Sequence, residues 1–344
     1  MVLGFARLKA WFAPPTRTTE SQNVTKALSE DSKARLQQAT NVLPLPQAYG
    51  ESLTEAIASP IARWVEDEDA PNTLAVLGAP IEPLELILPS LVASPAFVSC
   101  PKILQFPSAP TTEPAVRVEQ FIAELGRERQ LVIIPSLSRC FLRCIGGLDG
   151  IEALQNAAFH DRAHFWLVGC NIWAWQYLSK THQLQADFEQ TLQLPLLLGE
   201  DLQRWLTPAA AEVALDLEVE GIKARFKELA ELSLGLSCAA RTLWIEALGE
   251  GDAGVVFERP KRPKLPELEM GDRYLLYSLV LHEKLGFSQL AASLGEEENS
   301  VRATLQRLQQ LGAIEFRQGL FSLHPSHYPK LLADLGQNNF LVDN

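Results

Sequence analysis

Five short apolar runs, set about 30 residues apart, constrain this chain more than any other feature. They are Thr73–Leu77, Lys102–Phe106, Leu131–Ile134, Phe165–Gly169 and Leu192–Leu194, and helical patterns fill the intervals. Strands alternating with helices at that interval build a parallel sheet from βα units. Leu131-Val-Ile-Ile134 carries no polar alternation, as a central strand covered on both faces requires. The expectation is an α/β core over residues 51–198, preceded at 1–50 by a polar extension with one helix across Val24–Ala39.

After Pro195 the strand signals stop. Glu200–Leu206, Ala210–Leu234 and Ser237–Leu248 read as helices, an α-helical lid over 199–254. Glu258-Arg-Pro-Lys-Arg-Pro-Lys-Leu-Pro266 follows, and its prolines forbid a helix interior, so 255–270 reads as an extended linker. In the last segment, 271–344, Leu275, Leu276, Leu279 and Val280 make one helix face. Phe287, Leu290, Ala291 and Leu294 make a second, and Val301, Leu305, Leu308 and Leu311 a third. Gln318-Gly319 then joins two short apolar runs as a tight hairpin. Three helices and a hairpin are the parts of a winged helix. The linker before it predicts few contacts with the core.

The net charge of −12, from 30 Lys and Arg against 42 Asp and Glu, opposes broad binding to phosphate backbones. Five cysteines, widely spaced and without a CxxC pair, argue against a disulfide framework or a cysteine zinc site and for a reducing compartment. No apolar run reaches the roughly 20 residues of a spanning helix, so a cytoplasmic location is expected. Val2, Leu3, Phe5, Leu8, Trp11 and Phe12 flank Arg7 and Lys9, so residues 1–13 can form an amphipathic helix that packs on protein or touches a membrane surface.

Leu74-Ala-Val-Leu-Gly78 ends the first strand and is followed by Ala79-Pro-Ile-Glu-Pro-Leu-Glu85. The third strand runs into Pro135-Ser136, and the fourth, Trp166-Leu-Val-Gly-Cys-Asn171, ends on an asparagine. With the order of parts (strand–loop–helix core, helical lid, winged helix), these stretches resemble the AAA+ and related STAND ATPases from roughly Glu51 to the C-terminus. That family's first loop reads G-x-x-x-x-G-K-[ST], in which backbone N–H groups and the lysine hold phosphates and the hydroxyl holds magnesium. Here Gly78 matches the first glycine, while Pro83, Leu84 and Glu85 stand at the second glycine, the lysine and the hydroxyl positions. Pro80 and Pro83 remove N–H donors, and Glu82 and Glu85 repel phosphate. The acidic pair the resemblance implies after the third strand is replaced by Pro135 and Ser136. Asn171 matches the phosphate-sensing position and reads, with the rest of the site gone, as a turn or cap. In the lid, Gly235-Leu-Ser237 matches a Gly-Asn-Pro segment of which only the glycine is kept. The resemblance therefore implies a degenerate nucleotide site that takes no cofactor.

Other constellations carry less. His160-Asp161-Arg-Ala-His164 looks like a helical zinc motif, but His164 falls at a strand start, which removes the i, i+4 geometry. The aromatic stretch Phe165–Leu178 reads as core filling, with Trp173 and Trp175 as candidate anchors for a partner. A winged helix also invites a DNA reading through Arg302, Arg307 and Arg317. Against it, the third helix opens on Glu296, Glu297 and Glu298, and residues 271–344 hold six basic against eight acidic residues. Those glutamates are therefore candidates for facing a protein partner instead. The expected function is a catalytically inactive AAA+/STAND-like protein, a structural or regulatory subunit whose partner is an active ATPase or another subunit of an assembly. A DNA-binding regulator is the alternative, and the loop residues oppose a working ATPase.

Overall fold

The structure is a computed structural model that describes residues 26–67, 69–97, 103–107, 111, 113–251 and 254–340. The apolar segment at 1–13 and Cys100 lie outside the described residues. Two compact units divide the chain. One contains the described residues of 26–47, 196–265 and 325–340; the other joins Ala48–Pro195 to Pro266–His324.

The second unit holds the parallel sheet. Its first elements are α1 (Gln47–Glu66), β1 (Thr73–Gly78), α2 (Leu84–Val92), β2 (Ile103–Gln105), α3 (Pro114–Ala123), β3 (Gln130–Ile134), α4 (Asp149–His160), β4 (His164–Asn171), α5 (Ile172–His182) and β5 (Gln190–Gln193). The strand order is β2-β3-β4-β1-β5, and every neighbouring pair is parallel. β1, β3 and β4 are buried at every residue, which explains their unbroken apolar runs, whereas the edge strands β2 and β5 alternate in exposure. Pairing runs from Thr73↔Trp166 to Gly78↔Asn171, so β1 and β4 end side by side. This is the parallel α/β core expected, with its last strand beginning two residues earlier than the apolar run suggested.

The same unit continues with α6 (Met270–His282), β6 (Lys284–Leu285), α7 (Phe287–Leu294), α8 (Glu298–Gln310), β7 (Ile314–Arg317) and β8 (Leu320–Leu323). β7 and β8 form the expected hairpin, turning through Gln318 and Gly319 at φ 53° and 81°, and β6 adds a third strand in the order β7-β8-β6. The expectation of few contacts between this module and the core is corrected. Besides the predicted face, Ser278, Leu281 and His282 of α6 are also buried. A helix buried on more than one face needs partners on more than one side. Helix α5 and the 3₁₀ turn Leu137–Arg139 after β3 supply the second partner.

The first unit packs the helices Glu30–Asn41, Gly199–Glu212, Ile222–Leu232, Ser237–Glu246 and Tyr328–Gln337. It differs from the lid drawn from sequence in three respects. The single helix expected over Ala210–Leu234 is broken before Gly221, which takes φ 81°. A small antiparallel sheet joins Lys26–Ala27, Leu248–Gly251 and Gly254–Phe257, where glycines had masked the strand signal and part of a linker was expected. The helix Tyr328–Gln337 belongs to this unit rather than to the C-terminal module. Gly235 is required here at φ 72°: a Cβ would stand 2.8 Å from the Leu197 carbonyl oxygen.

Candidate functional site

In open parallel sheets, ligands bind beyond the C-terminal strand ends where successive crossovers leave in opposite directions. The chain leaves β1 toward β2 on one side and β4 toward β5 on the other, which puts that point between Gly78 and Asn171. All the residues read as a vestigial nucleotide site lie along this edge.

At the end of β1 the space is apolar. A Cβ on Gly78 would come 2.9 Å from Leu194 Cδ1 and 3.5 Å from Leu84 Cδ1, and Leu84 is 1% exposed. The loop also consumes its own donors. Glu82 N–H bonds Ala79 O and Leu84 N–H bonds Glu82 O, both at 2.9 Å, while Pro80 and Pro83 have none to give. The buried Glu82 carboxylate accepts from Tyr49 OH at 2.9 Å. Glu85, in the first turn of α2, accepts from Arg139 Nε at 2.8 Å, and Arg139 Nη1 also donates to Lys284 O at 3.0 Å.

At the ends of β3 and β4 the space is polar and filled. The Glu283 carboxylate, from the turn after α6, accepts from Ser136 Oγ at 3.1 and 3.2 Å, Ser138 Oγ at 3.1 Å and Asn171 Nδ2 at 3.2 Å. Asn171 Nδ2 also donates to Leu281 O at 2.9 Å. Its Oδ1 caps α5, accepting from Trp173 N–H and Ala174 N–H at 3.1 and 2.9 Å. Ser136, Ser138 and Asn171 are buried, whereas Glu283 as a whole is half-buried. Burial of its carboxylate raises Glu283 above the usual carboxylate value. Arg139 opposes that rise, Glu85 adds to it, and the bonds from Asn171 and Ser138 oppose it. Pro135 closes the floor from below: a Cβ on Gly169 would stand 2.2 Å from its carbonyl oxygen.

Around this centre the module grips the core. The buried His282 packs on Phe141 with ring centroids 4.6 Å apart, and its Nε2 accepts from Arg143 N–H at 3.2 Å. Burial, with Arg143 and Arg139 nearby, lowers its pKa to about 3, so the ring is neutral. Arg143 Nη2 donates to Ser278 Oγ and Ser293 O at 3.3 and 3.1 Å.

Of the sequence candidates, Ser136 and Asn171 meet at Glu283, Glu85 meets Arg139, and Gly78, Pro83 and Leu84 form the apolar end. Reading Trp173 and Trp175 as partner anchors is corrected. Both are buried: Trp173 lies edge-on to Tyr277 of the C-terminal module at 6.0 Å, and Trp175 packs in the core of the sheet, edge-on to Phe188 at 5.3 Å. The three candidate DNA-contacting arginines are engaged within the chain. Arg302 lies 4.7 Å over the Phe287 ring, Arg307 pairs with the buried Asp272 and with Glu269, and Arg317 Nε stands 2.8 Å from Glu315. Glu296, Glu297 and Glu298 are exposed. His164 faces the Asp161 carboxylate, and no group of three metal-ligating side chains occurs among the described residues. Sequence reasoning missed Glu283, Ser138, Arg139, Arg143 and His282. The one available signal was the polar pair His282-Glu283 closing a helix that is otherwise apolar on two faces.

No family model matches the chain, and neither does any curated protein. Among solved structures it is similar to the Thermotoga maritima RuvB Holliday junction branch migration motor, at 16% identity over 89% of this chain and 95% of that one, with a TM-score of 0.37. It is also similar to the Aeropyrum pernix ORC2 protein in its ADPNP–ADP complexes, at 12% identity over 87% and 95%, with a TM-score of 0.41. Likeness at these scores carries no argument, and the α/β assignment stands on the order and register of the sheet.

Proposed function

We propose that the chain is a nucleotide-independent protein of AAA+/STAND-like build, with residues 271–323 as its winged helix, acting as a structural or regulatory subunit of a larger assembly. One observation carries the reading. The crevice where such a core would take phosphate is occupied from within, by Leu84 and Leu194 at the end of β1 and by the Glu283 carboxylate at the ends of β3 and β4. A phosphate brought beside Glu283, Glu85 and Glu82 would meet negative charge, with one nearby guanidinium already shared between Glu85 and the Lys284 carbonyl. A fold that keeps its framework while closing its ligand crevice retains surfaces for assembly rather than chemistry.

Thermal unfolding with and without Mg-ATP tests this. A ligand at about 100 times its dissociation constant adds about 2.7 kcal/mol, which moves a melting curve by several degrees. The expected shift at millimolar Mg-ATP is none, and an upward shift of several degrees overturns the reading.

A further inference from the structure

We propose that Ser136, Ser138 and Asn171 form a carboxylate-binding site whose built-in ligand is Glu283, so that the C-terminal module is held on the sheet by an internal ligand that can be exchanged. The donors belong to the core and are set before any ligand arrives. Asn171 has its Oδ1 occupied by two N–H groups of the α5 backbone, and its Nδ2 faces Leu281 O at 2.9 Å, Ser138 Oγ at 3.0 Å and the Glu283 carboxylate at 3.2 Å. Ser136 precedes the 3₁₀ turn Leu137–Arg139 after β3 and Ser138 lies within it, and both hydroxyls reach the same carboxylate. Two hydroxyls and an amide that can all donate to one point, with Asn171 Nδ2 also bonded to Ser138 Oγ at 3.0 Å, favour a carboxylate where the crossovers diverge. The occupant, by contrast, is poorly suited to its backbone. Glu283 adopts φ 64° and ψ −55°, a conformation that residues with side chains rarely enter and that persists only where surroundings impose it. Arg139, the guanidinium beside the cluster, pairs with Glu85. The side chain's hold on three core donors keeps the turn in place together with the bonds from Arg139 to Lys284 O and from Asn171 to Leu281 O. The planar, two-oxygen carboxylate matches the spread of the donors: Ser136 reaches both oxygens, while Ser138 and Asn171 share one. This site does not depend on the reading above, since nucleotide binding would refute that reading and leave the carboxylate site standing.

Acetate is the probe. In the full-length chain carrying Glu283→Gly, the substitution removes the side chain and suits the positive φ, opening the floor to a small carboxylate. Melting curves are compared in sodium acetate and in sodium chloride at equal ionic strength near pH 7.5. Acetate should raise the variant's melting temperature saturably and leave the wild type unchanged. At ten times its dissociation constant the folding equilibrium constant rises about elevenfold. Acetate indistinguishable from chloride overturns the proposal, and so does an acetate effect that survives the addition of Ser136→Ala and Ser138→Ala. Should Glu283→Gly not fold, the double variant Ser136→Ala/Ser138→Ala with Glu283 intact decides by amide hydrogen exchange. Exchange across 278–286 should then rise at least about tenfold while β1 and β4 keep their protection; unchanged exchange at 278–286 overturns the proposal.

Discussion

The carboxylate of Glu283 and the imidazole of His282, adjacent in the chain, respond to pH in opposite senses. Burial lowers His282 to about 3 from 6.5, so its contribution to stability is complete above pH 6.5 and is lost as pH falls toward 3. Burial raises Glu283 above 4.5, so its contribution is complete below 4.5 and is lost as pH climbs through the folded value. Arg139, Glu85, Asn171 and Ser138 face the same carboxylate and are common to wild type and variant. Glu283→Gln removes only the second dependence. The stability of wild type relative to Glu283→Gln should therefore grow as pH is lowered from 8 to 5, measured by denaturant unfolding at each pH. A difference that stays flat would show the carboxylate to be solvated. Gly169 supplies a second residue-scale prediction. The Pro135 carbonyl oxygen lies 2.2 Å from where a methyl group on Gly169 would stand, so Gly169→Ala forces the backbone of β4 from that of the loop after β3. In denaturant unfolding it should cost roughly 1–3 kcal/mol, weakening the Ser136–Glu283 contact along with it.

At the scale of elements, α6 joins the C-terminal module to the sheet. Its Leu275, Leu276, Leu279 and Val280 face was legible as periodicity, but Ser278, Leu281 and His282 are buried as well, and nothing in their spacing distinguishes a second buried side from an exposed one. Leu305, 2% exposed on α8, lies in the module away from the candidate site. Leu305→Asp places an unpaired carboxylate in that core and should cost on the order of 3 kcal/mol or more. Because the module and the sheet form one compact unit, the loss should reach the loop 136–143 as well. Hydrogen exchange would register it as reduced protection in both segments. Full protection of 136–143 in the variant would restore the separable module that the proline-rich linker suggested. α5 makes the same point from the core side. Its tryptophans were visible as an aromatic run, yet Trp173 packs on Tyr277 of α6 and Trp175 in the core of the sheet, so they pack rather than recognise a partner.

At the scale of the whole molecule, a net charge of −12 sets the background against which any nucleic-acid contact must act. Arg307 and Arg317 stand beside the carboxylates of Asp272 and Glu315, which offset part of their attraction for a phosphate. The chain should therefore bind duplexes of roughly 20–30 bp no more tightly than about 10⁻⁴ M near physiological salt. Salt-dependent retardation checks this, and tight, sequence-selective binding would promote the DNA reading. What the sequence determined alone was whatever short-range periodicity encodes: the five parallel strands, the helices between them, the helix–helix–helix–hairpin order at the C-terminus, and which residues stand at the strand ends. Periods of two and 3.6 residues follow directly from backbone geometry, and a motif's residues are adjacent in the chain. The site was only half legible, because its occupant is remote. Ser136 and Asn171 could be named, but Glu283 lies more than a hundred residues beyond either. Only the tertiary structure decides that the turn after α6 reaches the edge of the sheet, since that contact depends on which buried faces meet and no local pattern records it.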